Sequence, residues 1–336
     1  MRIILTKLSD FPPTNHNMRD GDILSLYSPS QCPYCNSLDI GRRGKGKRKR
    51  KGDQQRYYCK RCRRRFIDSP IRGSHLPEWA IDRILFLTVD SLRPRAITEE
   101  IARDSKLLGQ SVLISTHTVR NLLKKCIKSP LEFELLTKRE EATRLWVIDD
   151  AFERFPTKNI ATHRLRGKRT VGWITNILEL GTNYWLVAHV SLGRDKAVTS
   201  EAFRLAVKRA KGTPLNVKCD GLRSHLQGIE ESYPRVIINP KKKKHDYGWI
   251  NEIESLHSTM RLAGISRRGF RTPENLQARL DLLRCNYNFL RPHSSLEGET
   301  PARVAGILYP QTLSWSEFIR FTHWYVNSQK KLVGQR

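Results

Sequence analysis

Two short strand-like runs in the middle of the chain each end on an aspartate, and this pairing limits the possible folds more than any other feature. The first reads Arg144-Leu-Trp-Val-Ile148 and passes into Asp149-Asp150; the second, residues 215–219, passes into Asp220. Runs of this length and character read as strands buried in a sheet, with the acids at their C-terminal ends. Thirty-four positions after Asp220 comes Glu254, inside a segment where Trp249, Ile250, Ile253, Leu256 and Met260 fall on one helical face. Two strand-end carboxylates and one on a neighbouring helix can meet at one edge of a sheet. There their oxygens can hold two divalent cations about 3.5 to 4 Å apart around a phosphodiester. A lone aspartate after an apolar strand is more often a turn residue. Three acids in this order, in a chain of net charge +28, point instead to chemistry on a polyanion.

Around these acids the pattern alternates. Strands are expected over 144–148, 170–178, 184–190, 215–219 and 236–238, and helices over 197–210, 251–263 and 275–288. That order describes an α/β domain with a mixed sheet flanked by helices, over residues 141–310. Ahead of it the chain divides into a leader over 1–31, a cysteine-bearing module over 32–67 and a helical region over 77–129. A helical tail over 311–336 follows, amphipathic through Trp315, Phe318, Phe321 and Trp324, and is expected to pack on the main domain or across a dimer.

The 336 residues carry 61 Lys and Arg against 33 Asp and Glu. Such an excess attracts phosphate backbones in a salt-dependent way, so DNA is the expected partner and a small-molecule substrate is not. No apolar run approaches the length of a membrane span, and the N-terminus lacks the apolar stretch of a signal peptide. A cytoplasmic, nucleoid-associated protein with no membrane partner is expected.

Four of the seven cysteines form two CxxC pairs, Cys32/Cys35 and Cys59/Cys62, with 23 residues between the pairs. This spacing lets four thiolates close a tetrahedron around a structural Zn²⁺, making a zinc ribbon packed by Tyr57, Tyr58 and Phe66. Such a small module needs its metal to fold. Within its spacer the run 42–52 holds eight basic residues, Arg42, Arg43, Lys45, Lys47, Arg48, Lys49, Arg50 and Lys51, read as an extended loop on the DNA backbone. A solvated charge run is the bland alternative.

Three helices are expected after Pro77: one from Pro77, one from residue 97 with Thr98 as N-cap, and one after Ser115 that stops at Pro130. The last exposes Thr118, Arg120 and Lys124 around Val119, Leu122 and Leu123, as the recognition helix of a helix-turn-helix would. The connection over 104–114 is longer than a tight turn allows, so a plain helical linker stays open. In the main domain, Lys241, Lys242, Lys243 and Lys244 lie between the second and third acids and are read as a DNA guide.

Four strings carry a resemblance. They are Trp146-Val-Ile-Asp149-Asp150, Cys219-Asp220-Gly221-Leu-Arg, Asn251-Glu-Ile-Glu254 with Arg261 seven positions on, and Tyr287-Asn-Phe-Leu-Arg291-Pro292-His293-Ser-Ser-Leu296. Together they resemble the DDE transposases of prokaryotic insertion sequences, themselves similar to retroviral integrases, over residues 141–305. The resemblance implies an RNase H-like fold, with Asp149, Asp220 and Glu254 as catalytic ligands of Mg²⁺ (or Mn²⁺). It implies 3′-end cleavage and strand transfer on element terminal repeats and target DNA, Arg261 near the scissile phosphate, and a homodimer. The chain departs from the family at Asp150, where Glu is common, and at Ser255, where Arg is frequent. Asp150 competes with Asp149 for the first position, and Glu252 with Glu254 for the third. A copy that binds DNA without cutting, and a ribonuclease H-type nuclease, are the other readings.

Overall fold

The β-branched and aromatic runs around the first two acids pair into one sheet because their backbones can satisfy each other only there once the side chains are buried. A computed structural model describes residues 32, 35, 37–46, 54–67, 76–109, 112–140, 143–156, 169–241, 251–265, 270–310 and 314–334. The chain divides into two compact units, one of residues 89–91 and 130–307, the other of 1–88, 92–129 and 308–336.

In the first unit, strands β4 (Leu145–Pro156), β5 (Arg169–Glu179), β6 (Tyr184–Ser191), β7 (Asn216–Cys219) and β8 (Ile237–Pro240) form a sheet of spatial order β6-β5-β4-β7-β8. β4–β5 and β5–β6 are antiparallel, whereas β4–β7 and β7–β8 are parallel. A mixed five-stranded sheet of this order, flanked by helices, is the architecture expected from the sequence. Trp146, Val147 and Ile148 are all buried because β4 is the central strand and is covered on both faces. On one face, Val147, Ile174 and Trp185 join a core completed by Ile253, Leu256 and Met260 of α7 (Asn251–Leu262) and Leu276, Leu280 and Leu283 of α8 (Pro273–Cys285). On the other, Trp146 meets Phe203 of α5 (Lys196–Ala210) at 5.4 Å between ring centroids.

Helix α5 lies in the crossover that makes β7 parallel to β4. It starts at Asp195, whose carboxylate accepts the Val198 N–H at 3.0 Å. A second helix, α6 (Arg223–Ser232), lies against α5 so closely that a Cβ on Gly228 would stand 2.6 Å from the Lys196 carbonyl oxygen. The unit also buries an ion network. Glu134, in α4 (Lys128–Leu136), pairs with Arg284 and with Arg209 at 3.2 Å and accepts the Tyr184 hydroxyl at 2.7 Å.

The other unit contains an antiparallel sheet, β1 (Ile40–Gly46), β2 (Gln54–Cys59) and β3 (Arg65–Ile67), and helices α1 (Glu78–Val89), α2 (Pro94–Leu107), α3 (Thr116–Cys126) and α10 (Trp315–Gly334). Helix α9 is the short turn Pro301–Val304 of the first unit. Tyr57 and Phe66 stack at 5.6 Å and bury the ribbon's small core as expected, while Tyr58 is half-buried beneath Arg43. The Ser115 hydroxyl accepts the Thr118 N–H at 3.1 Å and caps α3.

Several expectations are corrected. The first run does not end at Asp149: β4 continues to Pro156, because β5 goes on pairing with it after β7 has ended. Thr98 is inside α2, which begins at Pro94 because proline suits the first helical turn; its hydroxyl bonds the Arg95 carbonyl. The connection after α2 shrinks, since the helix runs on to Leu107. Pro130 ends no helix, because it stands in the first turn of α4, where its missing N–H costs nothing. Arg42, Arg43 and Lys45 lie on β1 rather than in a loop, because the ladder with β2 outweighs the glycines between them. α10 begins against α1: the Ser316 N–H donates to Asp82 at 2.7 Å, and Arg320 pairs with Glu78 at 3.0 Å. The tail thus belongs to the N-terminal helical unit instead of the sheet domain. The leader over 1–31 lies outside the described residues. Among the described residues no helix is long and apolar enough to cross a membrane.

Candidate active site

In the parallel β4–β7 pair Ile148 lies beside Cys219, so Asp149 and Asp220 stand next to each other where that pairing ends. The C-terminal ends of parallel strands are where open α/β sheets place their ligands. Parity along β4 separates the two adjacent aspartates. Val147 and Ala151 face the core under α7, and so does Asp149 between them; Asp150 shares the opposite face with Trp146. Asp149 is therefore the aspartate on the side of the helix that carries Glu254.

Asp149 is partly buried, and its Oδ1 accepts the Asp150 N–H at 2.9 Å. Burial pushes its carboxyl up to about 6, and the nearby Asp220 and Asp150 charges add to the rise. From α7, His257 brings Nδ1 to 3.8 Å from Asp149 Oδ2, while its Nε2 lies 3.2 Å from Asn176 Nδ2. The Asn176 amide also donates to the Ile174 carbonyl, which identifies Nδ2 as the donor. His257 Nε2 is therefore the acceptor, and Nδ1 carries the proton toward Asp149. Burial, then the Arg261 charge, depresses the His257 pKa to about 4, which agrees with a neutral ring.

Asp220 sits at a turn made by Gly221, whose φ of +87° suits glycine. Its Oδ1 accepts the Leu222 N–H at 3.0 Å and stands 3.2 Å from His225 Nδ1. The other imidazole nitrogen of His225, Nε2, is 3.2 Å from Asp150 Oδ2. Burial alone would depress this histidine, but the two carboxylates outweigh it and hold its pKa at about 9. Burial likewise opposes ionisation of Asp150 and Asp220, yet His225 keeps both below the usual carboxylate range. Arg194 closes the group: its Nε donates to Asp150 at 2.7 Å, Nη2 lies 3.8 Å from Asp220 Oδ2, and the guanidinium covers Trp173 at 4.3 Å. Sequence reasoning singles out neither Arg194 nor His225. The available signal is a basic residue just ahead of α5 and a histidine five positions after Asp220.

Glu254 is exposed in the first turn of α7, one turn before His257. Its competitor Glu252 is engaged by Lys218 of β7 at 3.7 Å. Arg261 is exposed further along the helix and donates to Ser258 at 2.8 Å. Asp149 and Asp220 are neighbours, Glu254 stands exposed on the helix packed over that face, and the three form no tight cage. Among the described residues, the one group of metal-ligating atoms within 4.8 Å of one another is Cys32, Cys35, Cys59 and Cys62.

That cluster pairs Cys32 with Cys62 and Cys35 with Cys59, each at 3.5 Å between sulfurs. None of the four is in a disulfide: the spacings are far from the ~2 Å of an S–S bond and near the ~3.8 Å edge of a zinc–thiolate tetrahedron with ~2.3 Å bonds. Of the basic residues, Arg42, Arg43, Arg120 and Lys124 are exposed, and Lys241 is half-buried just past β8. Lys45 lies on β1. Lys47, Arg48, Lys49, Arg50 and Lys51, and likewise Lys242, Lys243 and Lys244, lie outside the described residues.

Residues 251–301 match the sequence profile of the integrase core domain, a span of less than half the chain. No curated protein matches significantly. Among solved structures, the HTLV-2 integrase catalytic core domain in complex with magnesium (trimeric form) is similar at 13% identity and a TM-score of 0.34, covering 50% of this chain and 99% of that one. The simian T-cell lymphotropic virus intasome in complex with PP2A regulatory subunit B56 gamma is similar at 11% identity and a TM-score of 0.36, covering 65% and 75%. The fold rests on the strand order and pairing rather than on these likenesses, and the segment from α7 to the start of α9 is what the chain shares with the integrase core domain.

Proposed function

We propose that this chain is a DNA transposase of the integrase type, in which Asp149, Asp220 and Glu254 hold divalent magnesium or manganese for phosphoryl transfer. The observation that carries the reading is the position of Asp149 and Asp220 side by side on parallel strands, on the edge faced by the helix of Glu254. The donors suit such an ion. They are hard carboxylate oxygens, and beyond burial the charges of the neighbouring aspartates help lift Asp149 to about 6, a repulsion that a cation relieves. When bound, the metal would supply Lewis-acid polarisation of the scissile phosphate and an activated water or 3′-hydroxyl. The chain's own residues do the rest. His257 stands beside Asp149, with Nδ1 3.8 Å from its Oδ2. Arg261 offers positive charge along the same helix for a phosphate.

Zinc at the four cysteines would hold the ribbon together. Arg42, Arg43, Lys45, Arg120, Lys124 and Lys241, with the basic residues outside the described part, would track the backbone of the element ends and target DNA. Because two ends are processed together, the working form is a homodimer or larger, in the cytoplasm on the nucleoid.

The test incubates the full chain with labelled element-end DNA and a plasmid target, in Mg²⁺ or EDTA, for wild type and Glu254→Gln. Joined products that disappear in EDTA and in the variant are expected. Binding without cleavage would favour a non-cutting DNA-binding protein, and hydrolysis of RNA in hybrids without joining would favour a ribonuclease H-type nuclease.

A further inference from the structure

We propose that His225 is a positioning residue for Asp220: it grips one carboxylate oxygen from inside the fold and so leaves the other to face a divalent cation. The inference rests on the reading of Asp220 as a metal ligand. Asp220 Oδ1 is occupied twice, by the Leu222 N–H at 3.0 Å and by His225 Nδ1 at 3.2 Å. Oδ2 stands farther from its neighbour, 3.8 Å from Arg194 Nη2. An oxygen that already accepts two donors is a poor metal ligand, so the geometry selects Oδ2.

His225 can serve in this way because it cannot turn. Its side chain is fully buried, and its far nitrogen stands 3.2 Å from the carboxylate of Asp150, itself only 1% exposed and held by a hydrogen bond from Arg194. The helix that carries it is pinned too. Gly228, one turn on, lets α6 approach α5 to a separation no Cβ would permit, and its carbonyl accepts the Ser200 hydroxyl at 2.8 Å. The two adjacent aspartates thus divide the work: Asp149 faces the site, and Asp150 braces the histidine that orients Asp220. Hydrogen-bonded partners of metal-ligating carboxylates are worth roughly 10- to 100-fold in metal affinity.

The experiment is a Mn²⁺ titration followed by electron paramagnetic resonance on the full, zinc-loaded chain, with thermal melting and DNA binding measured beside it. The proteins are wild type, Asp220→Asn, His225→Ala, His225→Asn and His225→Gln. An asparagine amide can replace Nδ1 as donor, whereas glutamine places its amide nearer the Nε2 position. His225→Ala and His225→Gln are therefore expected to weaken Mn²⁺ binding about tenfold, and His225→Asn to stay within about threefold of wild type. Wild-type affinity in His225→Ala, beside loss in Asp220→Asn, overturns the inference and leaves the metal reading standing. Equal loss in all three His225 variants also overturns it, because packing and not the Nδ1 contact would then be responsible. If Asp220→Asn binds Mn²⁺ like wild type, the metal reading fails and the inference with it.

Discussion

Asp149 and Asp150 are neighbours in sequence with opposite surroundings, and the difference follows from the two-residue repeat of a strand. One shares its face with Val147 and Ala151 beneath α7; the other is sealed against His225 and Arg194. The competition between them is visible in the sequence, but not the histidine that makes the second one useful. Among single residues Gly228 is a tight constraint, set against backbone. A Cβ there would meet the Lys196 carbonyl oxygen at 2.6 Å and Thr199 Cβ at 2.8 Å, both on α5. Gly228→Ala should therefore destabilise the sheet domain by about 1 to 3 kcal/mol, as overpacking does, read as a lower urea midpoint. It should weaken Mn²⁺ binding as well, since it shifts the helix that carries His225.

Helices α4, α5 and α8 and strand β6 are tied together by charge rather than by apolar contact alone. Glu134, Arg284, Arg209 and Tyr184 are buried in one network, where the arginines outweigh the cost of burial and keep Glu134 ionised. Removing one partner of a buried pair leaves a charge without compensation, so Glu134→Gln should cost about 3 to 5 kcal/mol in chemical denaturation. A half-buried acid of α1, whose carboxylate meets the start of α10, behaves differently. Burial raises Asp82 to about 6 although it accepts the Ser316 N–H. A raised carboxylate favours the folded state most below its unfolded value near 4, and that contribution is lost as pH rises through about 6. Asp82→Asn keeps an acceptor for Ser316 without the charge. It should be more stable than wild type at pH 7 by about 1 to 3 kcal/mol, with the gain fading by pH 4 in a series of thermal melts. Helix starts show how far local reading reaches. The helix start after Ser115 is legible because the capping hydroxyl serves an N–H only three residues away, whereas Thr98 misleads because Pro94 has already started the helix.

For the whole molecule, a net charge of +28 means that DNA affinity should fall steeply with salt. Replacing Arg42 and Arg43 together by alanine should reduce the slope of log affinity against log salt by about 1 to 2, with little change in sequence preference. Chelation of the four-cysteine cluster, or Cys59→Ser, should unfold the small sheet, whose core is little more than Tyr57 and Phe66, and metal analysis of the untreated chain should return about one zinc per molecule.

The alternation of strands and helices, the placing of Asp149 and Asp220 at the ends of short apolar runs, each CxxC pair and the basic charge are all legible along the chain, because each depends on residues close together in it. Folding in three dimensions settles what the chain order leaves open: which aspartate faces α7, how far β4 runs past it, that His225 and Arg194 reach the acids, and that the first turn of the C-terminal helix is held by α1. These depend on register between strands and on contacts between residues far apart in sequence, such as Ser316 with Asp82 or Asp150 with His225, which no local pattern encodes.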